Sequence, residues 1–381
     1  MNKILITSAG SLVGQNILDA LGDRKERLEI VGTNSDAVAP NIYRCNKIHL
    51  VSHASDRPRF IDDLVRLIEH EKPEVIIPGR DDDIEILAEI RDQYFPESNA
   101  FLCGSGDFAL AMHDKIRSHE FAQKHRLPFA MTVESGRDTS RESATRLVEE
   151  YGFPCIAKPT RGSGSIGVRV IINEQQLDRI CAQSNYAIQP LFGHTESIEF
   201  DTTLGLPFIW EVMENNLYGV QVLISQKGAI ISSFGFVSKM VMGRCEQIAI
   251  ADDHELIEIA HGFARSAIEE GWRGPLNIQF KKDGVHGYQA IEMNGRFSGG
   301  TSGRLYLGFD EVRELLNEWF GDEVVPGSPF QGITTSVKRS LTDFAFSQEY
   351  ALDLERNKIW ESQASRETSV SSADEVVANT I

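Results

Sequence analysis

Cysteine is scarce in this chain of 381 residues, and the five present (Cys45, Cys103, Cys155, Cys181 and Cys245) are scattered. No two form a CxxC pair, which argues against a zinc knuckle and a disulfide framework; they read as reduced, mostly buried thiols. Long apolar runs are missing too. Nothing reaches the roughly 18 consecutive apolar residues of a membrane-spanning helix. The opening "MNKILITSAG" passes from a strand-like run into glycine without the apolar segment and cleavage site of a signal peptide, so a soluble cytoplasmic protein is expected. Positive charge is in deficit: 38 Lys and Arg stand against 56 Asp and Glu, a formal net charge of -18. Repulsion from phosphate then disfavours a non-specific grip on nucleic acid, and a polyanionic ligand would need a local cationic site. No internal repeat is evident, and no serine, histidine and acid are set out as a nucleophilic triad.

What is present is enough apolar material, 41% of residues, for the two or three packed units that the length suggests. Residues 1 to about 105 alternate short apolar runs with amphipathic ones: "KILIT", "QNILDAL", "EIVGTN", "KIHLV", "FIDDLVRLIEH", "EVIIP", "IEILAEIRDQY" and "AFLCG". Strands alternating with helices predict a parallel, doubly wound sheet. Its first turn, Ser8-Ala9-Gly10-Ser11-Leu12-Val13-Gly14, approaches a dinucleotide fingerprint but carries serine at the first glycine position, and the second strand ends at Asn34, where a ribose-binding acid is expected. A structural strand-to-helix turn is favoured there over a nicotinamide site. From "HDKIRSHEFAQKHRLP" the pattern becomes a small α+β unit. A helix capped by Asp114 leads to strand "FAMTV", helix "SRESATRLVEEYG", strand "FPCIAKP", a glycine-rich loop, strand "VRVII", helix "EQQLDRICAQS" and strand "YAIQP". Phe192 to about Phe346 is strand-rich, with one long amphipathic helix in "DDHELIEIAHGFARSAIEEG". The last segment, "ESQASRETSVSSADEVVANT", is polar and reads as a disordered tail.

The glycine loop is "KPTRGSGSIGV", Lys158 to Val168. Glycine and serine let backbone N–H groups turn inward and approach an anion, which is how loops cradle phosphate. The loop lacks the lysine-serine ending of a Walker sequence, and in isolation a flexible hairpin turn explains it equally well. Lys158 at the end of the preceding strand and Lys115 at the start of a helix supply two cations, and "YAIQPLFGHTE" a strand end whose backbone could read an adenine edge. Further on, "GPLNIQFKKDGVHGYQAIEMNGRFSGGTSGR" predicts two strands, Leu276 to Lys281 and Val285 to Met293, joined at "KDG". Gln279 and Glu292 would then face the same way, with Asn294 two residues on along the same pleated face. Converging oxygen ligands of this kind suit Mg²⁺ (or Mn²⁺), which keeps waters and takes its other ligands from nucleotide phosphates; an acidic surface hairpin is the alternative. Arg296 would bring a guanidinium able to fork onto phosphate or carboxylate.

The order of these motifs resembles the ATP-grasp superfamily, in particular the carboxylate-amine ligases akin to the large subunit of carbamoyl phosphate synthase. The likeness covers roughly residues 1 to 345. It implies an α/β and α+β architecture: a doubly wound, Rossmann-like pre-ATP-grasp domain at 1–107, an ATP-grasp small lobe at 108–190, a large lobe with the metal site at 191–346, and a polar tail at 347–381. It also implies roles. Lys115 and Lys158 would bind ATP phosphates beneath a lid from Arg161 to Gly167 that includes Gly162, Ser163, Gly164, Ser165 and Gly167. Gln189, Pro190, Leu191 and Phe192 would hinge against adenine, and Glu196 would hold the ribose hydroxyls. Gln279, Glu292 and Asn294 would hold Mg²⁺, and Arg296 would act on the transferred phosphoryl group and the later tetrahedral adduct. Gly299, Gly300 and Arg304, with Arg80 and Asp81 of "GRDDD", are candidates on the substrate side. One departure stands out: "SIEFDTTLGLPFIWEVMENN" (197–216) separates Glu196 from the next family-like strand, so substrate contacts do not carry over. The implied activity is ADP-forming ligation of a small carboxylate, such as an amino acid or peptide, to an amine through an acyl phosphate. Bicarbonate activation and a catalytically silent nucleotide-binding protein are the alternatives. The implied partners are small molecules, not nucleic acid or membrane, and self-association as a homodimer is compatible with this reading.

Overall fold

The computed structural model describes residues 1–162, 164–192, 214–241, 243–340 and 343–362. Strands β1 (Asn2–Ile6), β2 (Leu28–Asn34), β3 (Lys47–Leu50) and β4 (Val75–Ile77) form a parallel sheet in the spatial order β3-β2-β1-β4. Because side chains alternate along a strand, Ile4 and Ile6 of β1 enter one core while Leu5 enters another. Helix Leu12–Leu21 covers the first face through Val13, Ile17 and Leu18, and helix Arg57–Glu71 the second through Phe60, Leu64 and Ile68. The sheet is doubly wound, as the alternation of patterns predicts. "AFLCG" contributes only a parallel bridge, Phe101 against Ile76.

A small antiparallel sheet follows, with β5 (Val133–Glu134), β6 (Cys155–Pro159), β7 (Arg169–Ile171) and β8 (Tyr186–Pro190) in the order β5-β8-β6-β7. Helices Ser140–Tyr151 and Glu174–Cys181 cover it, closing a core of Ala144, Leu147, Cys155, Leu177 and Ile188. The large antiparallel sheet comprises β9 (Glu214–Ile224), β10 (Ile230–Val241), β11 (Arg244–Ile250), β12 (Gly274–Asp283), β13 (Gly287–Asn294) and β14 (Ser336–Lys338), ordered β13-β12-β9-β10-β11-β14. Helix His254–Glu269, capped by Asp253, packs Leu256, Ala260, Phe263 and Ala267 onto it.

The expectation of a polar tail from residue 347 is corrected. Helix Gln348–Asn357 and β15 (Ile359–Glu361) return to the first domain, where β15 pairs antiparallel with β3 and completes the sheet edge. Trp360 is buried and stands edge-on to Tyr43, their centroids 5.1 Å apart. The rest of the expected tail, 363–381, lies outside the described residues, as does most of the segment at 197–216. All five cysteines are free, four of them buried, and burial pushes the thiols of Cys45, Cys103 and Cys155 up to about 12, which makes them inert. No helix among the described residues is long and apolar enough to cross a membrane.

Candidate functional site

Strands β12 and β13 are registered so that Asn277 faces Asn294 and Gln279 faces Glu292. Strand alternation puts all four on one side of the hairpin. Asn277, Gln279 and Glu292 line a cleft of about 610 Å³, whose other walls are Lys158 and the glycine loop, Phe236, Ser238 and Met240 of β10, and the first domain at Ser8–Val13, Asn34–Asp36 and Gly79–Asp81. The cleft thus runs from the glycine loop to the first strand-to-helix turn. That turn is tightly built: Gly10 donates its N–H to Asn34 Oδ1 at 3.2 Å, and a Cβ on Gly14 would lie 2.4 Å from the Ala9 carbonyl oxygen. Asn277 escaped the sequence reading although the signal was present, since it stands two residues before Gln279 on the same strand.

Lys115 is 5% exposed. It opens helix Lys115–Lys124, whose cap Asp114 accepts from the N–H groups of Ile116 and Arg117. Its Nζ stands 3.4 Å from Glu292 Oε1 and donates to the Gly162 carbonyl at 3.4 Å. One ammonium therefore joins the carboxylate of the hairpin to the glycine loop. The loop needs its glycines: Gly162, Gly164 and Gly167 have φ of 123°, 66° and 77°, in the left-handed region that side chains disfavour. A Cβ on Gly243, in the β10–β11 turn, would lie 2.3 Å from the Gly164 carbonyl oxygen. Ser165 shares the positive φ, at 58°, and Ser163 lies outside the described residues. Arg161 ties the loop down through Glu85 and Asp114, each at 3.3 Å.

Arg296 lines the cleft and is nearly buried, with its Nε 2.7 Å from Asp81 Oδ1 and its Nη2 donating to Asp81 Oδ2 at 2.8 Å. Burial works against its charge, but Asp81, and then Glu292, outweigh it and hold the guanidinium above its usual range. Asp81, expected on the substrate side, is thus committed to Arg296, whereas its neighbour Arg80 is half-exposed and open to the cleft. Asn294 is 2% exposed and sits beneath the arginine, its Oδ1 accepting from Arg296 Nη2 at 3.4 Å, while its Nδ2 has no partner among the described residues.

Arg304, expected on the substrate side, lines the floor of the same cleft with its donors already engaged. Its side chain is fully buried, donating to Glu311 Oε1 from Nε and Nη2 (3.1 and 2.5 Å) and to Ser298 Oγ from Nη1 at 3.0 Å, with Nη2 also near Gln221 Oε1 and Thr301 Oγ1, both at 3.2 Å. Gln221 Oε1 also accepts from Asn277 Nδ2 at 3.0 Å. Arg304 therefore forms part of the cleft floor and supports Asn277 through Gln221. Gly299 and Gly300 reach the cleft, and a Cβ on Gly300 would stand 3.1 Å from Arg304 Nη1.

The Gln189 side chain points inward: it is fully buried, donates to Thr132 Oγ1 at 3.0 Å, and leaves Oε1 without a partner among the described residues. Phe192 packs with Ala130, Leu217 and Ile291. Neither these two nor Pro190 and Leu191 line the described cleft, and Glu196 lies outside the described residues. As for a metal, no group of three or more His, Cys, Asp or Glu among the described residues could hold one. One carboxylate with amide oxygens beside it fits a Mg²⁺ that arrives with a nucleotide and keeps its waters, rather than a closed protein cage.

Comparison with known proteins accords with this arrangement. Residues 4–98 match the PylC-like N-terminal domain, and residues 114–204 the ATP-binding domain of the carbamoyl-phosphate synthase L chain. Over 84% of this chain and 78% of the other, the fold superposes on N5-carboxyaminoimidazole synthetase from Staphylococcus aureus complexed with ADP, with a TM-score of 0.63 at 14% identity. The chain carries the ATP-grasp fold. The biotin carboxylase domain of 2-oxoglutarate carboxylase from Hydrogenobacter thermophilus, solved with MgADP, ADP and bicarbonate, superposes on this ATP-grasp chain with a TM-score of 0.61 at 17% identity, over 85% of this chain and 72% of that one. Among curated proteins, biotin carboxylase 2 of Bacillus subtilis is 23% identical over 77% of the chain, and the N-terminal section of the carbamoyl phosphate synthase large chain of Methanopyrus kandleri 24% over 78%. The ATP-grasp chain spans 65% and 53% of the length of these two relatives.

Proposed function

We propose that the chain is an ATP- and Mg²⁺-dependent ligase that activates a carboxylate as an acyl phosphate and transfers the acyl group to an amine, releasing ADP and phosphate. The observation that carries this reading is the convergence on one cleft of Gln279 and Glu292, registered across a hairpin, with Lys115, Lys158, a positive-φ glycine loop and Arg296. Such a cleft offers charge and position, which is what phosphoryl transfer asks of a protein; Cys245 also lines it, with its thiol held above its usual range by burial. Lys115 and Lys158 hold the phosphate oxygens, and the loop screens them from water. Gln279 and Glu292 are the residues that would hold Mg²⁺, which when bound neutralises charge on the ATP phosphates. A substrate carboxylate oxygen attacks the γ-phosphorus, the bond to the β-phosphate oxygen breaks, and ADP leaves. The amine nitrogen then attacks the acyl carbon, loses a proton, and expels phosphate. Arg296 faces the oxygens on which negative charge gathers at both stages.

Bicarbonate as the activated carboxylate is the second reading, favoured by the carboxylase names among the relatives and neighbours. Release of ADP from MgATP, screened with bicarbonate and with pairs of amino acids, separates the two. Hydroxylamine should trap a hydroxamate from an activated amino acid. Cleavage of ATP to AMP and pyrophosphate by the active enzyme would overturn both.

A further inference from the structure

Arg296 and Asp81 are 215 residues apart in sequence, on opposite sides of the cleft's junction with the first domain. Asp81 opens helix Asp81–Tyr94 and is 7% exposed. A guanidinium has five N–H groups in a rigid plane. In Arg296, Nη2 donates to Asp81 Oδ2 at 2.8 Å and reaches Asn294 Oδ1 at 3.4 Å, Nη1 donates to the Phe297 carbonyl at 3.0 Å, and Nε stands 2.7 Å from Asp81 Oδ1 as an ion contact without hydrogen-bond geometry. Among the described residues this leaves two N–H groups without a hydrogen-bond partner, the buried Nε–H against Asp81 and the second Nη1–H. The hydrogen bond to Asp81 Oδ2, the ion contact beside it and the bond to the Phe297 carbonyl together hold the plane of the fork, which a single contact would leave free to turn. The same helix turn reaches the other working parts: Asp82 lies 3.2 Å from His113, two residues before Lys115, and Glu85 holds Arg161 of the glycine loop.

We propose that Asp81 is a positioning residue for the reaction. Supplied by the first domain, it fixes the plane of the Arg296 guanidinium, so that the second Nη1–H is presented to the substrate oxygen on which charge develops. The first domain is then a component of the phosphoryl-transfer centre as well as a wall of the cleft. This rests on the ligase reading above. A purely structural interdomain ion pair would contribute stability without touching turnover, and a direct contact with the amine would act on the affinity for that substrate.

The test compares the full-length wild type with Asp81→Asn, Asp81→Glu, Arg296→Ala and the Asp81→Asn/Arg296→Ala double variant. MgADP affinity is read by calorimetry, phosphate release from MgATP with mixed amino acids and bicarbonate by steady-state kinetics, and exchange of the Arg296 Nη2–H groups by ¹⁵N NMR. Asp81→Asn is expected to leave MgADP affinity and the KM for ATP nearly unchanged, to lower kcat by about 10²-fold and to speed Nη2–H exchange about tenfold. Asp81→Glu should recover part of kcat, and in the Arg296→Ala background Asp81→Asn should add no further loss. An equal loss of kcat in both backgrounds, a raised acceptor KM with kcat intact, or unchanged Nη2–H exchange would each overturn the proposal. Should Asp81→Asn fail to fold, Asp81→Glu, which keeps the charge but displaces it, carries the same comparison. A wild type that binds no MgADP overturns the ligase reading and this proposal with it. A wild type that binds and turns over, with Asp81 variants unaffected, overturns the proposal alone.

Discussion

Replacing Glu311 with glutamine should cost folding stability and spare the nucleotide. Glu311 lies in helix Glu311–Phe320 and, like Arg304, is essentially shielded from water. Burial raises its carboxyl above the ordinary range, and Arg304 is the main influence opposing that shift. Glutamine keeps one acceptor but removes the charge, leaving a guanidinium surrounded by neutral oxygens and the face of Phe236, 4.9 Å from its ring centroid. Stranding one partner of a buried pair costs about 3 to 5 kcal/mol. At roughly 2 to 4 °C per kcal/mol for domains of about 150 to 250 residues, this lowers the melting temperature by roughly 6 to 20 °C. Replacing both residues with apolar ones of similar volume, Arg304→Met with Glu311→Leu, should recover much of the loss, because the pair's own desolvation cost disappears with it. Scanning calorimetry gives the stability, and titration calorimetry with MgADP gives the affinity, which should hold in Glu311→Gln at temperatures where the variant is folded. If Glu311→Gln melts with the wild type but loses MgADP affinity, Arg304 belongs to the ligand site and its burial has been misread.

Lys158→Ala should weaken MgADP binding roughly tenfold or more, as expected for a charge-assisted contact of about 1.5 to 3 kcal/mol; unchanged affinity by calorimetry would put Lys158 outside the phosphate site. Asp83 is buried beside the first turn, accepting from Thr7 and Ser8, and burial pushes its carboxyl up to about 6. Because the folded pKa lies above the ordinary one, this group favours folding most while protonated, and roughly 3 kcal/mol of that preference is lost as pH rises from about 4 to about 6. Asp83→Asn should remove that slope, and parallel melting-temperature curves for the two proteins across the window would refute it. Trp360→Ala should cost about 3 to 5 kcal/mol by opening a cavity against Tyr43 and Tyr350, read by thermal denaturation; an unchanged melting temperature would mean that β15 adds nothing to the first sheet.

The legible parts of the site were those set by short-range rules. Gln279 and Glu292 could be brought together from the sequence because a tight turn fixes register and the pleat has period two. Asp114 as a cap and the glycine loop followed from equally local chemistry. The pairing of Asp81 with Arg296 could not be read this way, since it depends on how the first domain meets the large sheet. Arg304 shows the converse difficulty: a cation near a glycine pair looks the same in sequence whether it faces a substrate or a buried carboxylate, and only Glu311 on the following helix decides. In the final segment, Ala351, Leu354 and Trp360 are spaced to reach one face, but three apolar residues among charged ones were outweighed by the composition around them.

The docking of β15 on β3 also bears on how the molecule assembles. Strand β3 is made early in synthesis, yet its open edge waits for residues 359–361, with both lobes of the ATP-grasp fold to be synthesised in between. Contacts of such long sequence separation form slowly. During that delay the edge of β3 presents unpaired backbone groups, the kind of surface on which partly folded chains associate. Closure of the first sheet is therefore a late event in the life of the nascent chain, and a ribosome stalled before residue 359 would hold a first domain with one edge still exposed.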